Sequence, residues 1–209
     1  TYKYRLGLDN YCAKPQDKLH NDLNENKYYI LRQRLYNEAV TMLSNKKNIL
    51  PLNNKDNAKI AVVTFGKDNS FSKKMNDHGI TNTSFLLDNN ISEEETKRTI
   101  KQLNKYDVII VNIRNTSSYP SKNYGITNNM VDFVNKIKKS KNVVFNLFAS
   151  PYALDKFSLD NNADAVLIGY EDNAMVANAI FDIMVGKRSP MGKLPVSLKK
   201  YDCGYGLTY

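Results

Sequence analysis

The chain has 209 residues, 42% of them apolar and 24% charged, enough for one large domain or two small ones with a sizeable core. Its formal net charge is +9, but apart from Lys136, Lys138, Lys139 and Lys141 the lysines are scattered. With no recognition motif beside it, the charge reads as a solvated surface rather than a nucleic-acid site. No apolar run approaches the roughly 20 residues of a membrane-spanning helix. A first residue of Thr, with no charged-then-apolar leader after it, reads as a piece cut from a longer chain.

Residues 1–26 are polar and aromatic without a sustained period and read as an extended arm or linker, leaving 27–209 as the domain proper. From Lys27 to Ser44 the apolar positions Tyr28, Leu31, Leu35, Ala39 and Met42 recur at three-and-four spacing, which predicts one helix with a core-facing stripe. Four compact apolar runs follow: Lys59–Phe65 (KIAVVTF), Asp107–Ile113 (DVIIVNI), Asn142–Phe148 (NVVFNLF) and Asp164–Gly169 (DAVLIG). Continuous apolar strands are those buried on both faces, as in parallel sheets. A weaker strand is expected over Ser84–Leu87.

Helical patterns alternate with the strands. Ser92 opens a capping box with Glu95, and Ile100 and Leu103 then face inward. Thr127 caps a helix carrying Met130, Val134 and Ile137, at whose end the four clustered lysines meet the helix dipole. Asp172 is expected to cap the last helix, with Met175, Val176, Ala179, Ile180, Ile183 and Met184 on one face and Gly186 ending it. The alternation predicts one α/β domain: a mostly parallel, doubly wound sheet flanked by helices on both faces, a three-layer α/β/α sandwich.

In such a sheet, ligands meet the loops at the C-terminal ends of the strands. Those loops begin at Gly66, Arg114, Ser150 and Tyr170. The most polar runs from Arg114, which can either hold an anion or sugar hydroxyl or pair with a local carboxylate. The candidate substrate contacts are Arg114, Asn115, Tyr119, Tyr124, Tyr170 and Glu171. No catalytic residue is assigned. His20 lies in the polar arm and His78 at a helix end, and no GxSxG elbow is present. Glu171 and Asp172 are adjacent, whereas glycoside hydrolysis sets two carboxyl groups across a sugar. No metal spacing and no glycine-rich dinucleotide fingerprint is found, so no cofactor is expected. Cys12 and Cys203 lie near opposite ends; two free thiols and a single bridge in an exported protein both remain open.

The segment Gly186–Leu198, GKRSPMGKLPVSL, looks at first like a phosphate-binding loop. Five residues rather than four separate Gly186 from Gly192, Leu194 stands where the hydroxyl should be, and Pro195 blocks the helix that should follow. It instead resembles the end of the second domain of family 3 glycoside hydrolases, of the form G-x-x-x-P-x-G-K/R-L-P-V-S/T. Other segments resemble that family in the same order: Thr1–Tyr11 the stretch leaving the catalytic barrel, Glu38–Leu52 (EAVTMLSNKKNILPL) the helix and Leu-Pro-Leu approach, Lys59–Phe65 the first strand, and Gly204–Tyr209 the closing motif.

The resemblance implies an accessory C-terminal domain whose partner is an N-terminal catalytic barrel, with carbohydrate reached through that barrel and the nucleophile carried there. In β-glucosidase-like members the second domain supplies an acid/base Glu from the loop after its second main strand. The matching loop here, Arg114–Asn128, holds no Glu or Asp. This points to a β-N-acetylglucosaminidase-like parent, whose acid/base is a barrel His, and to an inert isolated domain. The resemblance also implies a bacterial parent exported to the periplasm or cell surface. From a different class, a stand-alone binding module for a glycan, anion or nucleotide fits the same fold.

Overall fold

The computed structural model describes residues 2–12, 17–52, 58–137, 141–159 and 162–209. Its elements in chain order are α1 (Tyr2–Arg5), α2 (Leu19–Leu23), α3 (Asn26–Ala39), β1 (Thr41–Asn45), β2 (Ile60–Phe65), α4 (Ser70–Asp77), β3 (Asn82–Leu87), α5 (Glu93–Leu103), β4 (Val108–Ile113), α6 (Asn128–Lys136), β5 (Asn142–Leu147), β6 (Ala165–Ile168) and α7 (Ala174–Met184), with short 3₁₀ turns between some of them. The strands form one sheet in the order β1-β6-β5-β4-β2-β3. All neighbours are parallel except β1, which runs antiparallel to β6.

The strand sequences explain the layering. Alternate side chains point to opposite faces. Ala61, Val63 and Phe65 of β2, with Ile109, Val111 and Ile113 of β4, pack under α5 and α6 through Leu103, Met130, Phe133 and Val134. Ile60, Val62, Val108 and Ile110 face the other way, against Phe71 and Met75 of α4 and the apolar face of α7. Both faces are apolar because both are covered, and the three-layer sandwich follows. Ser92 and Thr127 cap α5 and α6, accepting from the N–H groups of Glu95 and Met130. Gly186 ends α7's turn at φ 72°.

Three expectations change. The helix of residues 27–44 stops at Ala39, and Thr41–Asn45 form β1. Val40, Thr41, Met42 and Leu43 are all buried, so pairing along β6 wins over the helical spacing that reaches Met42. The stripe Tyr28, Leu31 and Leu35 is exposed rather than set into the core. Among residues 2–12 and 17–26, short helices α1 and α2 and a 3₁₀ turn take the place of a fully extended path, and none of those elements has a buried residue. Lys136 ends α6, while Lys138 and Lys139 lie outside the described residues.

The GKRSPMGKLPVSL segment covers the β1 edge. Gly192 N–H donates to Val40 O at 3.2 Å, and Leu194, only 1% exposed, donates from its N–H to Tyr205 O at 2.8 Å. The closing residues complete the cover: Leu207 N–H donates to Met42 O at 2.8 Å, an antiparallel bridge on the outer side of β1. An open strand edge is a template for unwanted pairing, and this segment occupies part of it. Lys193 is exposed, and its ammonium donates to Gly206 O at 2.5 Å.

Candidate functional site

The connections that leave β2 and β4 run in opposite directions across the sheet, toward β3 and toward β5. From β2 the chain steps outward to β3 through α4, then back across β2 to β4 through α5. Such a switch point leaves a crevice at the C-terminal strand ends. A cleft of about 800 Å³ lies there, lined by Gly66, Lys67 and Asp68 after β2, Leu86–Asn89 at the end of β3, Arg114 and Asn115 after β4, and Asp172 after β6.

Arg114 organises this edge. It is 8% exposed, and its guanidinium lies 5.1 Å from the Phe148 ring centroid. Its Nε donates to Asp172 Oδ1 at 2.7 Å and its Nη1 to Asp68 Oδ2 at 2.5 Å. Asp172 Oδ2 also accepts from the Asn115 N–H at 2.6 Å. One cation thereby joins the loops after β2, β4 and β6. The partners come from distant loops, so neither a surface arginine with a local carboxylate nor a guanidinium free to take an anion describes it. Burial alone would raise the Asp68 carboxyl, but the Ser70 N–H and hydroxyl, together with Arg114, outweigh it and hold the group below the usual carboxylate range. Asp68 is therefore ionised near neutrality and has no proton to give.

The expected cap at Asp172 is a correction. The residue after it, Asn173, caps α7, its Oδ1 accepting from the Val176 N–H at 2.9 Å. Asp172 is drawn instead to the buried charge of Arg114.

Of the six candidate contacts, Arg114 and Asn115 line the cleft and the other four do not. Tyr119 is 61% exposed on the loop after β4. Tyr124 packs half-buried against the core, and its carbonyl accepts from the Ser117 N–H at 2.9 Å. Tyr170 shares a 2.6 Å hydrogen bond with the Thr41 hydroxyl, and burial raises its phenol above the usual range. Glu171 accepts from the Tyr36 hydroxyl at 2.6 Å and from Asn173 Nδ2 at 3.0 Å.

Backbone strain gathers at this edge. Of six non-glycine residues with positive φ among those described, Asn115, Asn123, Tyr124 and Tyr170 sit on these loops. For a bulky residue such as tyrosine this is an outlier costing roughly 1–3 kcal/mol, and such strain clusters at functional sites.

Sequence reasoning passed over Lys67, Asp68, Asp88 and Asn89. The loop at Gly66 was legible, but no motif marks its residues. Asn89 Nδ2 donates to the carbonyls of Asn115 and Gly125 at 3.1 and 3.3 Å, while its buried Oδ1 has no partner among the described residues. Among the described residues no group of three or more His, Cys, Asp or Glu could hold a metal, and no helix is long and apolar enough to cross a membrane. Cys12 and Cys203 are both exposed free thiols.

The structure is thus a doubly wound α/β domain with a cleft at its switch point, where two of the three lining carboxylates, Asp68 and Asp172, are bound to one arginine and Asp88 is exposed. Residues 40–208 match the glycosyl hydrolase family 3 C-terminal domain, and the chain belongs to that family. No curated protein sequence matches it. Among solved structures, it is similar to a β-glucoside phosphorylase, BglX (TM-score 0.67, 19% identity, covering 93% of this chain and 36% of that one). It is also similar to a β-glucosidase from Listeria innocua solved with glucose (TM-score 0.64, 15% identity, 90% and 34%). A third is a family 3 β-N-acetylglucosaminidase from Paenibacillus sp. str. FPU-7 (TM-score 0.61, 11% identity, 91% and 36%). The chain thus spans about a third of the length of these structures, and at such identities the likeness is one of fold.

Proposed function

We propose that this chain is the accessory domain of a β-N-acetylglucosaminidase-like family 3 glycoside hydrolase, with both catalytic groups on an N-terminal catalytic domain of a longer polypeptide. In this reading residues 1–26 connect the two domains and 27–209 form the accessory domain. The observation that carries it is the loop after β4: from Arg114 to Thr127 it offers no carboxyl group. A general acid must hold a proton at working pH. Of the three carboxylates that line the cleft, Asp68 and Asp172 are bound to Arg114, Asp68 is held ionised, and the exposed Asp88 stands at the end of β3, accepting from the Asn90 N–H. The domain's part is to shape the sugar site. Asn115 and the exposed Tyr119 are the side chains free to meet the sugar, and Arg114, Tyr124 and Tyr170 position their loops.

The test is hydrolysis of aryl β-N-acetylglucosaminide and aryl β-glucoside by the full-length chain. A preference for the N-acetylated substrate of at least about tenfold in kcat/KM, or 1.4 kcal/mol, is expected. An equal or reversed preference refutes the assignment of type.

A further inference from the structure

The two edges of the sheet differ. Part of the β1 edge is covered by the closing segment through Gly192 and Leu207, whereas no strand lies beyond β3 among the described residues. The β3 sequence, NTSFLL, has none of the devices that keep an edge from pairing: no lysine, no proline and no bulge, its register with β2 running unbroken from Asn82 to Leu87. One bond fixes the direction of its backbone groups. Leu87 O accepts from the Gly66 N–H at 2.8 Å, so Leu87, and by alternation Phe85 and Thr83, turn their N–H and C=O toward β2. Asn82, Ser84 and Leu86 turn theirs outward. The Asn82 N–H is taken by Asn76 Oδ1 at 3.2 Å. Ser84 and Leu86 are left presenting their N–H and C=O groups to whatever lies beyond the edge.

Those positions are self-complementary. A second β3, antiparallel about a two-fold axis at Phe85, sets Ser84 of each copy against Leu86 of the other, and each such pair exchanges both its hydrogen bonds. Phe85 then stands opposite its own mate, with Cβ atoms about 4.5–5.5 Å apart, where an aromatic pair is favoured and a charge would repel itself. Its ring is half-buried on the α5 face, edge-on to Tyr106 at 5.8 Å. On the other face Leu86, 43% exposed, would lie beside Ser84 of the mate.

Charge selects a second copy over an unrelated strand. Helix α5, which leads away from β3 on the Phe85 face, carries Glu93, Glu94 and Glu95 in its first turn, Lys97, Arg98 and Lys101 beyond them, and Lys105 just past its end. The same two-fold lays α5 antiparallel to its mate, acidic end toward basic end, as an isologous contact requires.

We propose that the β3 edge joins two copies of this chain, continuing the sheet across a two-fold axis at Phe85. The contact is short beside the roughly 1,600 Å² of a standard interface, so the association is reversible. The two Arg114 clefts point in opposite directions, because antiparallel strands carry their C-terminal ends apart.

Sedimentation velocity of the 209-residue chain from about 1 to 300 μM tests this, since a contact of this size populates its dimer only at high concentration. The parent chain is expected to pass from monomer to dimer. Ser84→Lys adds the charge with which natural edges prevent pairing, and Ser84→Pro removes an N–H that β2 does not use; both are expected to remain monomeric. The Ser84 side chain is exposed, so the lysine variant should melt within about 2 °C of the parent. In the dimer, the Ser84 and Leu86 amides should exchange at least about tenfold more slowly than at the lowest concentration. A chain that stays monomeric throughout overturns the proposal. So does a dimer that survives in Ser84→Lys, which places the contact on another surface. Protection of the two amides in a full-length chain that sediments as a monomer also overturns it, because another part of that polypeptide then holds the edge.

Discussion

Gly192 offers the sharpest test of how the GKRSPMGKLPVSL segment holds the sheet edge. A Cβ at this position would stand 2.1 Å from Ala39 O, 2.6 Å from Val40 O and 2.6 Å from the Thr41 hydroxyl. Two of these three atoms are backbone, at the junction where α3 becomes β1, so no side-chain rotation relieves the clash. Forcing extra atoms into a packed site costs about 1–3 kcal/mol, and more where backbone must move. The Gly192 N–H bond to Val40 O would be lost as well, at about 1 kcal/mol. A total near 3 kcal/mol, at 2–4 °C per kcal/mol for a domain of this size, lowers Tm by roughly 6–12 °C. Calorimetry of Gly192→Ala and Gly192→Val checks it. The clash is made by Cβ itself, so alanine should already show most of the loss. An alanine variant melting within about 1 °C of the parent would refute the close-approach argument.

Other outcomes follow from the same geometry. Asp172→Ala should lower the urea midpoint more than Asp68→Ala, because the Asp172 side chain is 21% exposed against 49% for Asp68, and both its bonds, from Arg114 and Asn115, tie distant loops, whereas Asp68 takes two of its three from Ser70 two residues on. The folded Asp68 carboxyl titrates below its usual 3.8, so its stabilisation is full above that value and is lost as pH falls further; Asp68→Asn should flatten the acid-side fall of Tm below 3.8. Burial lifts the Tyr209 phenol from 10.0 to about 12, so its contribution is full below pH 10 and lost as pH rises toward 12. Tyr209→Phe should lower Tm at pH 8, by losing hydrogen bonds to the carbonyls of Ile183 and Arg188, and should melt with a shallower alkaline decline than the parent.

β2, β4, β5 and β6 were legible because each is a largely continuous apolar run buried on both faces, a pattern that local sequence carries by itself, whereas the edge strand β3, NTSFLL and mostly exposed, showed only in its second half. β1 was not legible. Met42 continues the spacing of Leu35 and Ala39, and only pairing with β6 and the cover of Leu207 make it a strand. Those partners are far away in sequence. The α7 cap shows the same limit: Asp172 and Asn173 are both good caps, and the choice between them is made by Arg114, 58 residues earlier. At the cleft, the loop after β4 could be placed from sequence as the end of a buried strand. The pairing of Arg114 with Asp68 could not, because it spans two loops that meet only when the sheet is assembled. The stripe on α3 was legible as a stripe, but not which way it faces, since periodicity alone does not say which side of a helix meets the core.

The central claim is that this domain shapes a glycosidase site without carrying its chemistry. The direct measurement is turnover of aryl β-N-acetylglucosaminide by the 209-residue chain and by the full-length chain under identical conditions. Hydrolysis is expected from the full-length chain, and none above buffer from the 209-residue chain. Turnover by the 209-residue chain alone, abolished by replacing a carboxylate such as Glu171, would contradict it.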